Sequence, residues 1–222
     1  MATVSERIAR WKQVQADLRQ RMVVRPLGPL PRFVAGADVA FSLDKSTVLA
    51  VALVYDREER RVVEQAHAAG PVTVPYVPGY LSFREGPTLL KAIGKLRHAF
   101  GVICFDGQGY AHPRRCGLAT HLAVELDVPG VGVAKSRLIG TYADPSEPAG
   151  SWTSLTDKGE EIGCVLRTRD KVNPLFVSVG HKVDLPSARA LALACVTRYR
   201  VPEPTRLADV EVGKLKRTLG TA

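Results

Sequence analysis

Three carboxylates stand where a folded chain has reason to avoid them. Asp38 interrupts the apolar run FVAGADVAF, Asp106 ends the apolar run VICFD, and Glu85 precedes a Gly-Pro pair in YLSFREGP. An ionised carboxylate on a half-buried strand is costly to desolvate, so such acids pair with cations, take up protons or ligate metal. A salt bridge to one of the many arginines would satisfy Asp38, and a simple turn would satisfy Asp106. Ser82 and Glu85 have the spacing of a helix-start capping box. That reading would make Pro87 the fifth helical residue, where its missing N–H is felt. A helix starting at Gly86–Pro87 instead leaves Glu85 just outside, free to point into a site. Acids on a first strand, before a crossover helix and at the end of the next strand together suit a hard cation with oxygen ligands. Such an ion polarises a phosphodiester and helps to generate hydroxide from water.

The residues after Asp106, GQGYAHPRRCGLATHL, extend the same theme. Ligands of open α/β sheets collect beyond the carboxyl ends of strands, and Gly107 and Gly109 let the backbone approach a ligand closely. No GK[ST] follows, so a phosphate loop is excluded, and His112 stands where a dinucleotide fingerprint needs its third glycine. GxSxG and HExxH are both missing, so serine hydrolase and zinc protease readings have no support. Arg114 and Arg115 suit phosphate oxygens, or else begin a helix with a solvated face. The 222 residues carry a formal net charge of +9 with pI near 9.6, a balance that fits a polyanionic partner.

The elements that must position these groups follow from periodicity. Ile8, Trp11, Val14 or Gln15, and Leu18 recur at helical spacing after Ser5. Segments 32–42, 47–56 and 60–69 read as consecutive antiparallel strands with short polar connections. An amphipathic helix over 86–99, a strand over 101–106, a helix over 114–127 and a strand over 128–135 then argue for parallel strands with helical crossovers. Residues 161–169 and 175–180 form a late hairpin, and Asp184 caps a helix over 185–200. YADPSEPAGSWTSLTDKGE reads as a surface excursion, and the basic residues near the C-terminus as a phosphate track or a solvated tail. The fold expected is α/β: one domain over 1–222, a mixed sheet flanked by helices in ribonuclease H-like outline, though pattern alone allows other α/β folds. The four cysteines form no CxxC pair and sit among apolar residues, as reduced cysteines do. No apolar run nears the ~20 residues of a membrane span, and a reducing cytoplasm is the expected compartment.

RFVAGADVAF, VPYVPGYLSFREGP, CFDGQGYAHPRRCGLATHL, GVGVAKSRL, SVGHKVDLP and PEPTRLAD resemble, in order, the successive motifs of the endonuclease V (deoxyinosine 3′ endonuclease) family. The blocks run from about residue 32 to 209. The resemblance implies a ribonuclease H-like fold and Mg²⁺-dependent nicking of DNA that contains hypoxanthine. The cut is expected at the second phosphodiester 3′ to the lesion, leaving 3′-hydroxyl and 5′-phosphate ends. Mn²⁺ could substitute. Asp38, Glu85 and Asp106 fall on the family's acidic positions, with Asp38 and Asp106 as metal ligands and Glu85 coordinating metal or orienting water. Lys135 matches a lysine near the scissile phosphate. Asp209 lies where relatives carry histidine or aspartate, so it could assist a second metal ion, act as a base, or be a surface residue.

The same resemblance assigns the reading of the lesion. Tyr76, between prolines, is the wedge that fills the stack vacated by an extruded base. Gly79, Gly107 and Gly117 would line the pocket with backbone, Leu81 and Leu138 would wall it, and His112 would contact phosphate or line the site. An inosine-RNA or structure-selective nuclease of the same fold is one rival reading. A non-catalytic lesion-binding protein is another. No heptad or apolar dimer face is evident, so a monomer is expected.

Overall fold

The structure, a computed structural model, describes residues 4–220. Its eight strands form one sheet in the order β3-β2-β1-β4-β5-β8-β7-β6. β1 (Phe33–Phe41), β2 (Thr47–Asp56) and β3 (Arg61–Pro71) are antiparallel neighbours, and Asp38 pairs with Val51. β4 (Val102–Asp106) lies parallel to β1, and β5 (Gly130–Ala134) parallel to β4. β8 (Leu175–His181) returns antiparallel to β5 and pairs with β7 (Glu160–Leu166), which carries β6 (Trp152–Asp157) at the edge. The carboxyl ends of β1, β4 and β5 therefore share one side of the sheet, and Asp38, Asp106 and Lys135 stand on it.

The alternation of β1 divides the core. Ala35 and Ala37 join Ile103 and Phe105 under Leu89, Ala92 and Ile93 of α2 (Leu81–Ile93) and Leu118, Leu122 and Ala123 of α3 (Leu118–Leu126). Val34, Cys104, Val131 and Val133 face the other way, against Leu191 and Ala192 of α4 (Leu185–Ala194). α5 (Glu203–Gly220) lies on that second face, with Val212 on Leu49 and Val51, and Ala208 on Leu53 and Tyr55. It packs so tightly that a Cβ at Gly36 would run into the Pro204 carbonyl. α1 (Val4–Arg21) buries Trp11, Gln15 and Leu18 and packs against α3.

The mixed sheet, the late β7–β8 hairpin and the Asp184 cap, which accepts from Ser187 N, agree with expectation. Several boundaries do not. α2 begins at Leu81 rather than Gly86, so Glu85 lies inside the helix and Pro87 is an interior residue. Tyr80 is its cap, and no side chain caps it. α3 starts at Leu118, because Pro113 to Gly117 turn around the left-handed Arg115 (φ 56°) instead of coiling. α4 stops at Ala194. The surface excursion contains β6, whose turn to β7 is made by Lys158 (φ 55°) and Gly159 (φ 81°), both left-handed as a tight hairpin requires. The basic C-terminal stretch is α5, which tolerates Pro204 at its second position because the first-turn N–H groups have no helical partner anyway.

Candidate active site

Burial drives the chemistry of the acids. Asp38 is half-buried and accepts a hydrogen bond from Val39 N at 2.8 Å. Desolvation, followed by the charge of Asp106, pushes its pKa up to about 7 against the opposing Val39 N–H. Glu85, 8% exposed, reaches about 8 through desolvation and the charge of Asp38, opposed by Arg84. Asp106 thus makes the ionisation of both Asp38 and Glu85 harder, and Asp38 adds to the effect on Glu85. Lys135 supplies the counter-charge: its Nζ lies 2.6 Å from Asp106 Oδ2 and 3.5 Å from Asp209 Oδ2. Burial works against this ammonium, yet the hydrogen bond to Asp106 and the surrounding carboxylates carry its pKa above the ordinary value. Asp209 reaches the site from the exposed side of α5.

No three carboxylates, imidazoles or thiols among the described residues stand close enough together to grip an ion in this side-chain arrangement. The donor set nevertheless fits a hard divalent cation: oxygen ligands only, two of them holding protons near neutrality for want of positive charge, and an ammonium standing on the third.

Beside the acids opens a cavity of about 360 Å³. Tyr76, Gly79, Leu81, Gly107, His112, Gly117 and Leu138 all line it, and so do Asp106 and Lys135. Of the residues expected to cut a backbone, Asp106 and Lys135 thus meet those expected to read a base at one opening, whereas Asp38, Glu85 and Asp209 do not line it. Tyr76 is 68% exposed.

The Endonuclease V family model matches residues 16–210. The chain belongs to the endonuclease V family. It is a deoxyribonuclease V, an endonuclease that cleaves DNA 3′ of deoxyinosine. Endonuclease V of Roseiflexus sp. is 46% identical over 203 residues, covering 91% of this chain and 90% of that one. The crystal structure of endonuclease V from Streptomyces avermitilis superposes with a TM-score of 0.92 at 44% identity, covering 100% of this chain and 96% of that one. Ciona intestinalis endonuclease V, in complex with a 24-mer DNA containing an inosine followed by a ribo-adenosine, matches at TM-score 0.81 and 29% identity, over 97% and 100% of the two chains.

Within this endonuclease V, the wall of the cavity is built by a clamp on one carbonyl. Gly79 O accepts from Arg114 Nη2 at 2.6 Å, His112 Nε2 at 3.0 Å and Gln15 Nε2 at 3.1 Å. His112 Nδ1 accepts from Arg114 N, which fixes the neutral tautomer with its proton on Nε2. Burial, and then the Arg114 charge, hold the His112 pKa down at about 4. Gln15 also donates to Cys116 O at 2.9 Å and accepts from Arg114 Nε at 2.5 Å, so one amide spans both walls. Gly79 itself has φ +80°, a conformation a side chain would strain, and an added Cβ would press on Arg114.

Neither arginine begins a helix, since α3 starts at Leu118, and both are engaged within the protein. Arg114 lies over the Tyr80 ring at 4.1 Å and is spent on the clamp. Arg115, side chain 11% exposed, pairs with Asp157 at 2.8 Å and Glu160 at 2.7 Å, tying the loop after β4 to the β6–β7 hairpin. Gln15 is the cavity-lining residue that sequence reasoning passes over. Its one signal is a polar side chain on the stripe shared with Trp11 and Leu18.

Proposed function

We propose that this endonuclease V hydrolyses the second phosphodiester 3′ to hypoxanthine in DNA, with Mg²⁺ or in its place Mn²⁺, and leaves 3′-hydroxyl and 5′-phosphate ends. The observation that carries this reading is the shared rim of cavity and acids: Asp106 and Lys135 line the same opening as Tyr76, Gly79 and His112. A base drawn from the duplex into that cavity puts the backbone just beyond it over Asp38 and Asp106. Hypoxanthine presents an N1–H donor and an O6 acceptor where adenine presents the reverse, and extrusion lets that edge be tested. Mispaired bases are cheaper to extract.

Asp38 and Asp106 would hold the cation, with Glu85 beside them. The cation supplies Lewis-acid polarisation of the phosphodiester and a lowered pKa for water. The chain supplies the rest. Asp38 and Glu85 give up their protons as positive charge arrives. Lys135 turns its ammonium from Asp106 towards the charge that builds on the phosphoryl and leaving oxygens, and Asp209 orients that lysine. Tyr76 fills the gap left in the stack. Arg114, Arg115 and Gln15 act as struts that keep the cavity open, and His112 lines it as a neutral ring. The whole chain works as one catalytic unit and as a monomer. Four buried free cysteines support a reducing, cytoplasmic setting, and no helix among the described residues is long and apolar enough to cross a membrane.

The test is a nicking assay on a labelled duplex with a single deoxyinosine. Cleavage one nucleotide beyond the lesion is expected with Mg²⁺, and its loss in Asp38→Ala and Asp106→Ala while lesion binding persists in Ca²⁺. Full activity in chelator would overturn the metal mechanism. Equal cutting of undamaged duplex would overturn lesion reading.

A further inference from the structure

The sheet gives the bound strand a direction. The base cavity opens where β4 and β5 end, between residues 107–117 and 134–138. Asp106 and Asp38 lie one step along, on β4 and β1, and the next strand after β1 is β2. A strand cut on the 3′ side of its lesion therefore runs from the β5 end towards the β1 end. Its continuation beyond the cut must cross the β1–β2 hairpin, residues 42–46, which rises from the same side of the sheet.

That hairpin is built as a rigid, presented tip. Asp44 accepts from Ser42 Oγ at 2.5 Å and from Ser46 N and Oγ at 3.1 and 2.7 Å, which turns its negative charge inward onto the loop. Lys45 takes the left-handed conformation (φ 60°). Leu43 is 72% exposed, more than any other large apolar side chain among the described residues. It lines a shallow groove of about 530 Å³ together with Lys216 of α5. Neither Lys45 nor Lys216 has an ion-pair partner among the described residues. Several other bases towards the C-terminus are engaged: Lys214 with Glu211, Arg206 with Glu203, and Arg200 with the Asn173 and Pro174 carbonyls.

The geometry points to the β1–β2 hairpin and Lys216 as a second nucleic-acid contact, which holds the DNA downstream of the cut. This rests on the proposed 3′ cleavage register. Lys45 and Lys216 take backbone phosphates, and Leu43 lies against the sugars between them. Leu43 is five residues past Asp38, so the hairpin tip lies no more than about 16 Å from that acid. At about 3.4 Å of helix rise per nucleotide, the contact falls within about five nucleotides 3′ of the cut.

The experiment compares two deoxyinosine duplexes, which extend about two or about fifteen base pairs beyond the cut, a spacing that straddles the expected contact. Binding is read by fluorescence anisotropy in Ca²⁺, and nicking in Mg²⁺. The wild type should prefer the long arm. The double variant Lys45→Ala/Lys216→Ala should lose about tenfold in affinity on the long arm and nothing on the short one. Its log affinity–log salt slope should flatten by about 2, for two phosphates released. Leu43→Ser should lose affinity on the long arm only, with the slope unchanged. Equal losses on both duplexes, no loss on either, or a dependence on the 5′ arm instead would overturn the hairpin contact. Failure of the wild type to nick either duplex would overturn the proposed activity and leave the binding comparison to judge the hairpin by itself.

Discussion

Acid should loosen this protein through one histidine. His112 is 3% exposed, and its Nδ1 is already an acceptor for Arg114 N, so a second ring proton removes a hydrogen bond and places a buried cation beside Arg114. Its folded pKa of about 4 lies below the ordinary 6.5. A depressed histidine binds fewer protons folded than unfolded, so its contribution is complete above 6.5 and is lost as pH falls towards 4. At about 1.36 kcal/mol per pKa unit, the loss is about 2 kcal/mol at pH 5 and about 3 kcal/mol at pH 4. The check is urea unfolding from pH 4 to 8 of the wild type and His112→Gln, which keeps a donor for Gly79 O without a titrating ring. Other groups, such as His181, whose pKa burial also lowers, contribute to both proteins and cancel in the difference. The wild type should lose about 2 to 3 kcal/mol more than the variant across that range. Parallel curves would refute the neutral, clamped imidazole.

Gln15→Ala leaves Gly79 O, Cys116 O and Arg114 Nε each short of a partner, and should cost about 1–3 kcal/mol in urea unfolding. Tyr76→Ala should change stability by no more than about 0.5 kcal/mol, because the side chain is exposed. Its nicking should fall further on duplex than on single-stranded deoxyinosine DNA, and equal losses would count against the wedge. Lys135→Ala should lower kcat by about 10²–10³ in single-turnover nicking with little change in DNA affinity; a loss confined to affinity would assign the lysine to binding alone.

Much of the architecture was legible because its signals are local and agree with one another. The antiparallel first three strands, the β4 and β5 crossovers and the Asp184 cap follow from alternation and capping chemistry. β6 escaped because an edge strand packs little: Leu155 is its one fully buried side chain, and alternation is faint in WTSLTD. The turn that betrays it, Asp157-Lys158-Gly159-Glu160, is visible but reads equally as loop. α5 escaped for a different reason. Two prolines and a run of lysines and arginines masked the Ala208 and Val212 stripe that seats it on the sheet. Within the site, residue types and order pointed to Asp38, Glu85 and Asp106, and the family resemblance pointed to the cavity residues. They said nothing of Gln15, whose three partners lie 64 to 101 residues away in sequence.

The misplaced start of α2 is instructive, because local rules fail there for reasons that belong to the site. The helix begins without a side-chain cap, buries Ser82 Oγ without a protein partner, holds a carboxyl raised to about 8, and places a proline where an N–H is wanted. Each departure works against the helix alone. Together they serve two ends at once. An early start brings Leu81 to the cavity wall at the close of the loop that carries Tyr76, and one further turn carries Glu85 towards Asp38 and Asp106. A helix begun at Gly86 would satisfy the proline and release Glu85 from the field that raises it. The stability to tolerate this comes from the other end of the same helix, where Leu89, Ala92 and Ile93 are fully packed against the sheet. Propensity therefore misreads this segment at its functional turn, while apolar periodicity reads it correctly at its structural one.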